Sequence, residues 1–401
     1  MAPQRVLFYS HDTVGLGHIR RVSRIAERLA RRDREATILI LTGSTAADLV
    51  RLPSNVDVVK LPSLRKVENS WYEPRRLGMD RADLLMMRER LIHDTIVHFA
   101  PDLFVVDKAP IGVHGELRRS LRELRAAGGC RIVLGLRDIL DSTEETVRSW
   151  TAEGIYDALR RYYDQILVWG MREVCDLVEE YRLPPDVARK VEYCGYIAPE
   201  NTAVADDAAR AGDKRLVLAT VGGGEDGFFL LDSFVRSLRS TEERFASVIL
   251  TGPDLPREQR TALQRLVAAC GRPVFMVDFA RQIGRLVAAA DLVVAMGGYN
   301  TTCEIVSRGR PAIVVPRSQP RQEQVLRAER FQSRGLLRMI RPEELTPEGL
   351  ARAIDEELRM PARRPSLPLD FGGLDRAEAH LSSVASANGA GNAVSTREGV
   401  A

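Results

Sequence analysis

The sequence predicts an α/β protein built from two comparable doubly wound domains, each a largely parallel sheet covered by helices on both faces. Three observations lead there. Short runs of β-branched and apolar residues alternate with stretches of helical periodicity. Those runs are apolar on both faces, as strands of a doubly covered parallel sheet must be. The alternation stops once, near residue 200, and then starts again. A chain of 401 residues has room for two or three domains at about 150 residues each.

Arg5–Ser10 is the first strand, and it ends in a polar, glycine-containing loop. From Ile19 the residues Val22, Ile25, Ala26 and Leu29 recur at helical spacing, with arginines assigned to the opposite face. Strands follow at Ala36–Thr42, Val56–Leu61, Leu103–Asp107, Arg131–Gly135 and Gln165–Trp169. The stretch from Ala198 to Gly212 is small, polar and without an apolar face, so it reads as a linker. The second series has strands at Arg215–Val221, Ser247–Thr251, Val274–Val277, Leu292–Met296 and Ala312–Val315. This gives a first domain over 1–198, a linker over 199–213 and a second domain over 214–368. A candidate helix covers 369–382, and a disordered tail is expected over 383–401.

Composition narrows the function. Hydrophobic residues at 45% and charged residues at 28% exclude a disordered or fibrous chain. A net charge of +3 is too small to argue for nucleic acid. Only Lys60, Lys66, Lys108, Lys190 and Lys214 are lysines among 58 cationic residues. Such an arginine skew suggests a GC-rich, bacterial coding sequence rather than a set of anion ligands. The cysteines (Cys130, Cys175, Cys194, Cys270, Cys303) are odd in number and form no CxxC pair, which argues against a disulfide framework or a zinc site. No apolar run reaches the ~20 residues needed to span a bilayer. Met1 to Arg5 shows no signal-peptide pattern, so the expected compartment is a reduced cytoplasm.

Four loops after strands carry chemistry, since open α/β sheets bind ligands at the carboxyl ends of their strands. The first, Ser10 to His18, brings Gly15 and Gly17 to a helix start and ends in His18; it lacks the full dinucleotide fingerprint because Arg20 takes the last glycine position. The second places Gly222, Gly223 and Gly224 after a buried strand, where a backbone can approach a ligand closely. The third, Gly297-Gly298-Tyr-Asn300-Thr301, opens a helix on which Asn300 or Thr301 is the expected cap, and a diphosphate suits its amides and dipole. Glu304 lies about one turn on, in reach of a diol such as ribose. The fourth loop delivers Arg321, Gln322, Glu323 and Gln324 to another helix start. Two readings stay open for Trp71-Tyr72, a packed pair or a sugar platform. Leu84 to Met87 is assigned to a buried helix face rather than to a membrane contact.

The third and fourth loops together, Gly-Gly-x-Asn-Thr-x-x-Glu followed by Arg310-Pro311 and Gln322-Glu323-Gln324, resemble the donor half of GT-B glycosyltransferases, in particular family 28. The Gly15-Leu-Gly17-His18 loop resembles that family's N-terminal loop. The resemblance covers most of residues 5–360 and is weak over 62–130. It implies two Rossmann-like domains facing each other across a cleft. It implies that Gly298, Asn300 and Thr301 hold a donor diphosphate, with Gly222–Gly224 on its other side. Glu304 would take the ribose, Phe279 and Ala280 the base by their backbone, and Glu323 and Gln324 the transferred sugar. His18 would face the reaction centre as general base or as a donor to developing negative charge, with His11 and Asp12 as alternatives for the base because the loop begins Ser-His-Asp-Thr. The expected activity is inverting sugar transfer from a nucleotide-diphosphate sugar, UDP favoured, to an unidentified glycan, lipid-linked or natural-product acceptor. No cofactor or metal is expected, since no D-x-D stands at a strand end and Asp12, Asp107 and Asp138 are isolated. A lipid acceptor would bring the protein to the inner face of the membrane. The competing readings are a nucleotide-sugar 2-epimerase or hydrolase, and a non-catalytic sugar-nucleotide binder.

Overall fold

The computed structural model describes residues 3–11, 17–45, 47–68, 71–198, 215–280, 283–360 and 368–395. The chain divides into two compact units, Met1–Ile197 with Asp370–Ala401, and Ala198–Leu369. The expected linker falls outside the described residues.

In the first unit β1 (Arg5–Ser10) leads to α1 (Gly17–Arg32), β2 (Thr37–Thr42) and β3 (Val56–Lys60). A hairpin of β4 (Leu64–Glu68) and β5 (Trp71–Pro74) precedes α2 (Arg81–Phe99) and β6 (Leu103–Asp107). Then come α3 (Arg118–Ala127), β7 (Arg131–Arg137), α4 (Thr143–Ala152), α5 (Ile155–Tyr162) and β8 (Gln165–Trp169). Two single turns, α6 (Leu177–Glu180) and α7 (Pro185–Ala188), end at β9 (Val191–Tyr193). The seven-stranded sheet runs β3-β2-β1-β6-β7-β8-β9, parallel throughout. Both faces are covered, so β6 is buried along its whole length.

The periodicity of α1 works as read: Ile19, Val22, Ile25, Ala26 and Leu29 are buried. Its arginines are not all on the outer face, however. Arg21 is only 1% exposed, because it reaches inward to a carboxylate described below. In α2, capped by the Asp80 carboxylate on the Ala82 N–H, Leu84, Ile92 and Ile96 face the core. Burial explains Leu84 but not Met86 and Met87, which are exposed. The hairpin stands apart from the main sheet and packs Leu64 and Tyr72 against Leu84 and Val113.

The second unit repeats the plan. It runs β10 (Arg215–Thr220), α8 (Phe228–Ser237), β11 (Phe245–Leu250), α9 (Arg257–Ala269), β12 (Val274–Val277), α10 (Ile283–Ala289) and β13 (Leu292–Ala295). It continues with α11 (Tyr299–Ser307), β14 (Ala312–Val314), α12 (Glu323–Ser333), β15 (Arg338–Met339) and α13 (Pro347–Arg359). The six parallel strands are ordered β12-β11-β10-β13-β14-β15. Its core brings Leu230, Leu231 and Phe234 of α8 together with Leu350 and Ile354 of α13.

The last helix, α14 (Gly373–Ser395), returns to the first unit. It corrects the expected tail: the chain from Ser383 to Ser395 is helical, and residues 396–401 lie outside the described ones. Ala377, Leu381 and Ala385, four apart, form its buried stripe. Arg28 of α1 donates to Glu378 at 2.7 Å and Arg32 does so at 2.9 Å. Among the described residues no helix is long and apolar enough to cross a membrane.

Candidate active site

Each sheet reverses its strand order at its first strand: β1 lies between β2 and β6, and β10 between β11 and β13. At such a reversal neighbouring loops leave in opposite directions and open a crevice at the carboxyl ends.

In the second unit the loops after β10, β13 and β14 are tied together. Gly222 and Gly224 turn with φ of 68° and 99°. A Cβ on Gly224 would stand 2.2 Å from the Thr251 carbonyl oxygen, so only glycine fits. Beyond β13, a Cβ on Gly297 would stand 2.9 Å from the Gln324 carbonyl oxygen, which puts that turn against the start of α12. After β14, Arg317 Nη1 donates to Asp226 at 2.6 Å, and its Nη2 lies 3.7 Å from Glu323 Oε1. The Arg317 N–H donates to Gln324 Oε1 at 3.3 Å, which leaves the amide NH2 of Gln324 as its donor end. Arg327, fully buried in α12, donates from Nη1 to the Gly297 carbonyl at 3.0 Å and lies over the Tyr299 ring.

The cap of α11 differs from the sequence reading. Gly298 is the N-cap, with φ −64° and ψ 137° and no side-chain cap bond, while Asn300 and Thr301 occupy the first turn. Thr302 satisfies the Gly298 carbonyl through both N–H (3.0 Å) and Oγ1 (2.9 Å). A helix start without a capping side chain turns amide donors and the positive dipole end to an outside anion. One turn on, Glu304 is buried. Its Oε1 lies 2.9 Å from Arg308 Nη1, with Gly284 of α10 packed against it. Phe279 and Ala280 follow Asp278, which accepts from Thr251 Oγ1 at 3.1 Å and pairs with Arg260.

In the first unit the corresponding mouth is filled by ionisable side chains. His18, the second residue of α1, is buried with its Nδ1 2.5 Å from Asp107 Oδ2 at the end of β6. Arg21, one turn further, donates to Asp107 Oδ1 from Nε (3.1 Å) and Nη2 (2.7 Å). Arg137, the last residue of β7, places Nη2 2.6 Å from His18 Nε2. A guanidinium can only donate, so Nε2 carries the lone pair and Nδ1 the proton shared with Asp107. The 3.0 Å approach of Arg21 Nη2 to Nδ1 is then a side contact, since that nitrogen's proton points to Asp107. The imidazole is held in the tautomer a general base needs.

Around it lies a ring of aromatic and basic groups. His11 packs edge-on to His18 with centroids 5.7 Å apart, and Tyr72 and His114 continue the row. Burial and the charge of Arg81 hold the His114 pKa below its ordinary value, so it accepts from Arg81 at 2.8 Å as a neutral ring. Arg81 also stacks on Trp71, which is 48% exposed. Below, burial and then the Glu116 charge raise the Tyr9 pKa far above its ordinary value. Tyr9 therefore keeps its proton and donates to Glu116 at 2.6 Å, while Arg88 grips the same carboxylate twice, at 2.8 and 2.7 Å.

The structure thus brings His18 and His11 together in one unit, with Gly17 as the first residue of α1; Asp12 and Gly15 lie outside the described residues. In the other unit it brings together Gly222, Gly223, Gly224, Gly297, Gly298, Glu323 and Gln324. The sequence shows Asp107 as one of several isolated acids, and its position at a strand end was the available signal. Arg21, Arg317 and Arg327 gave no signal among so many arginines. At the end of β7, Arg137 enters the site. Asp138 turns inward, accepting from the Tyr196 hydroxyl at 3.3 Å and the Ile139 N–H at 2.8 Å.

Residues 218–367 match the model of the glycosyltransferase family 28 C-terminal domain. The chain is 30% identical over 150 residues to the UDP-N-acetylglucosamine--N-acetylmuramyl-(pentapeptide) pyrophosphoryl-undecaprenol N-acetylglucosamine transferase of Streptococcus gordonii, covering 37% of this chain and 39% of that protein. It is 32% identical over 117 residues to the transferase of the same name from Saccharopolyspora erythraea, covering 28% and 31%. The chain therefore matches well under half the length of these relatives. Among solved structures it is similar to a calicheamicin glycosyltransferase (TM-score 0.58, 16% identity, all of both chains). It is likewise similar to the MurG of Acinetobacter baumannii (TM-score 0.56, 14% identity, 96% and 98% covered). The second unit belongs to glycosyltransferase family 28, and the chain has the GT-B fold of two Rossmann-like domains.

Proposed function

We propose that this protein is a glycosyltransferase that moves a sugar from a nucleoside-diphosphate donor to an acceptor hydroxyl. The observation that carries the proposal is the joining of three loops in the second unit around the uncapped start of α11, by Asp226–Arg317–Glu323 and Gly297–Gln324 contacts. Gly298, Asn300 and Thr301 take the diphosphate there, facing Gly222–Gly224. Helix dipole and amide donors stabilise the leaving group without a metal ion. Glu323 accepts from a sugar hydroxyl, and the Gln324 amide donates to its neighbour. Glu304 takes the ribose; a carboxylate has lone pairs enough for Arg308 and a diol together. Phe279 and Ala280 offer backbone contacts to the base. The relatives take their name from a UDP-N-acetylglucosamine donor, which favours UDP.

In the reaction the acceptor oxygen attacks the anomeric carbon as the bond from that carbon to the diphosphate oxygen breaks, its electron pair leaving with the diphosphate. The acceptor proton passes to His18 Nε2, in the place Arg137 now holds, and Asp107 stabilises the imidazolium. Attack opposite the leaving group inverts the anomeric centre. The relatives' undecaprenol-linked acceptor makes a lipid-linked acceptor, met at the cytoplasmic face of a membrane, the first to try; glycans and natural products are the others.

A thermal-shift panel of UDP-, GDP- and dTDP-sugars, repeated with Glu304→Ala, tests the donor site. Stabilisation of the wild type by one base class, diminished in the variant, supports it; no stabilisation by any of them rejects it. Incubating the donor alone separates the chemistries: an accumulating epimer or rapid release of free sugar would replace transferase with epimerase or hydrolase. Binding without turnover on any acceptor would mark a sensor.

A further inference from the structure

We propose that Arg327 is a positioning residue that aims the N–H of Gly298 at the donor diphosphate; the inference rests on the donor-site reading above. In a trans peptide the carbonyl and the following N–H point in opposite directions. Arg327 Nη1 holds the Gly297 carbonyl from the protein side at 3.0 Å, so the N–H of Gly298 must face the other way. That side is open: a Cβ on Gly298 would meet nothing within 4 Å, whereas a Cβ on Gly297 would run into Gln324 at 2.9 Å. Gly298 also lies ahead of the amides of α11, so its N–H extends their row by one donor.

Nothing in the sequence sets Arg327 apart from the other arginines. The structure buries it completely, and a guanidinium is placed in such a position only where it has work for its donors. Its guanidinium also lies over the ring of Tyr299, the first residue of α11, with Cζ 5.6 Å from the centroid. Arg327 thus joins α12, which begins with Glu323 and Gln324, to the turn that opens α11.

The test uses the whole protein and isothermal titration with the nucleoside diphosphate that the wild type binds best among UDP, GDP and dTDP, beside the same nucleoside without phosphates. Arg327→Gln should weaken the diphosphate about 10-fold or more, the scale of one lost hydrogen bond to a charged group, and leave the nucleoside unchanged. Arg327→Lys should keep part of the affinity. Gly298→Pro tests the donor itself, because φ of −64° and the open space suit proline while its N–H is gone. It should fold with an unaltered melting temperature and show the same selective loss. Equal weakening of diphosphate and nucleoside in the Arg327 variants would show a merely structural role. Undiminished diphosphate binding in Gly298→Pro would overturn the proposal even if the Arg327 variants fail to fold. A wild type that binds none of the three diphosphates would reject the donor site itself, a result distinct from either.

Discussion

The two units share a plan and differ in what they place at its mouth. Both are parallel sheets whose order reverses at the first strand. The first unit puts His18, Asp107, Arg21 and Arg137 there, while the second puts glycines, helix amides and a few stitched side chains. The difference suits the chemistry proposed for each. A proton must be received by a side chain of suitable basicity, and a buried one needs its charges balanced, as Arg21 balances Asp107. A diphosphate is better met by fixed backbone dipoles, which requires that side chains be absent. Topology supplies the crevice, and loop residues decide its use.

The contrast can be broken most forcefully at His18. His18→Ala should lower kcat by about 10²–10⁴-fold while donor affinity, measured by titration, stays at the wild-type value. A parallel loss of donor binding would show that the first unit's network also shapes the donor site. Asp107→Asn should cost about 10²-fold or more in kcat by releasing the His18 tautomer. It should also lower the melting temperature, since it leaves Arg21 buried without its anion; full activity would dismiss the dyad.

The second unit's dependence on backbone predicts smaller effects, separated position by position. Gly224→Ala, with φ of 99° and a carbonyl oxygen in the way, should lose about 3 kcal/mol in denaturant unfolding. Gly222→Ala has the same hand of φ but open space, and should lose about 1 kcal/mol. Equal losses would mean that strain, not the close approach, selects glycine at 224.

The smallest effect belongs to α14, which the first unit has and the second lacks. Burial alone would raise the Glu378 pKa, but hydrogen bonds from Arg32 and Arg28 outweigh it and leave the carboxyl below its ordinary range. A lowered folded pKa means that the ion pairs stabilise the docked helix at and above the ordinary Glu range. Their contribution is lost as pH falls through the lowered value. Hydrogen exchange of α14 should therefore quicken in acid before that of β6. Glu378→Gln should exchange faster at neutral pH and remove the acid step; an unaltered step would move its origin elsewhere.

Much of the fold was legible because its signals are local. Doubly buried strands announce themselves in Leu103–Asp107 or Leu292–Ala295, and the glycines after β10 and β13 mark turns in which Gly224 and Gly297 leave no room for a side chain. The hairpin that carries Trp71 and Tyr72 was not legible, since its strands are short, pair only with each other and are held by packing on Leu84 and Val113 rather than by the main sheet. The tail was not legible for a related reason: Ala377 and Ala385 on either side of Leu381 are too small to give a strong apolar period, and the helix is held by α1.

By itself, the sequence determined two α/β halves, the glycine turns, His18 at a helix start and the Glu323-Gln324 pair, because each depends on neighbours within a few residues. Tertiary structure alone decided which charges meet. Asp107 joins His18 across 89 positions, and Arg327 reaches back 30 to Gly297. Those pairings depend on strand order and on which face of a helix is covered, and no local pattern encodes either.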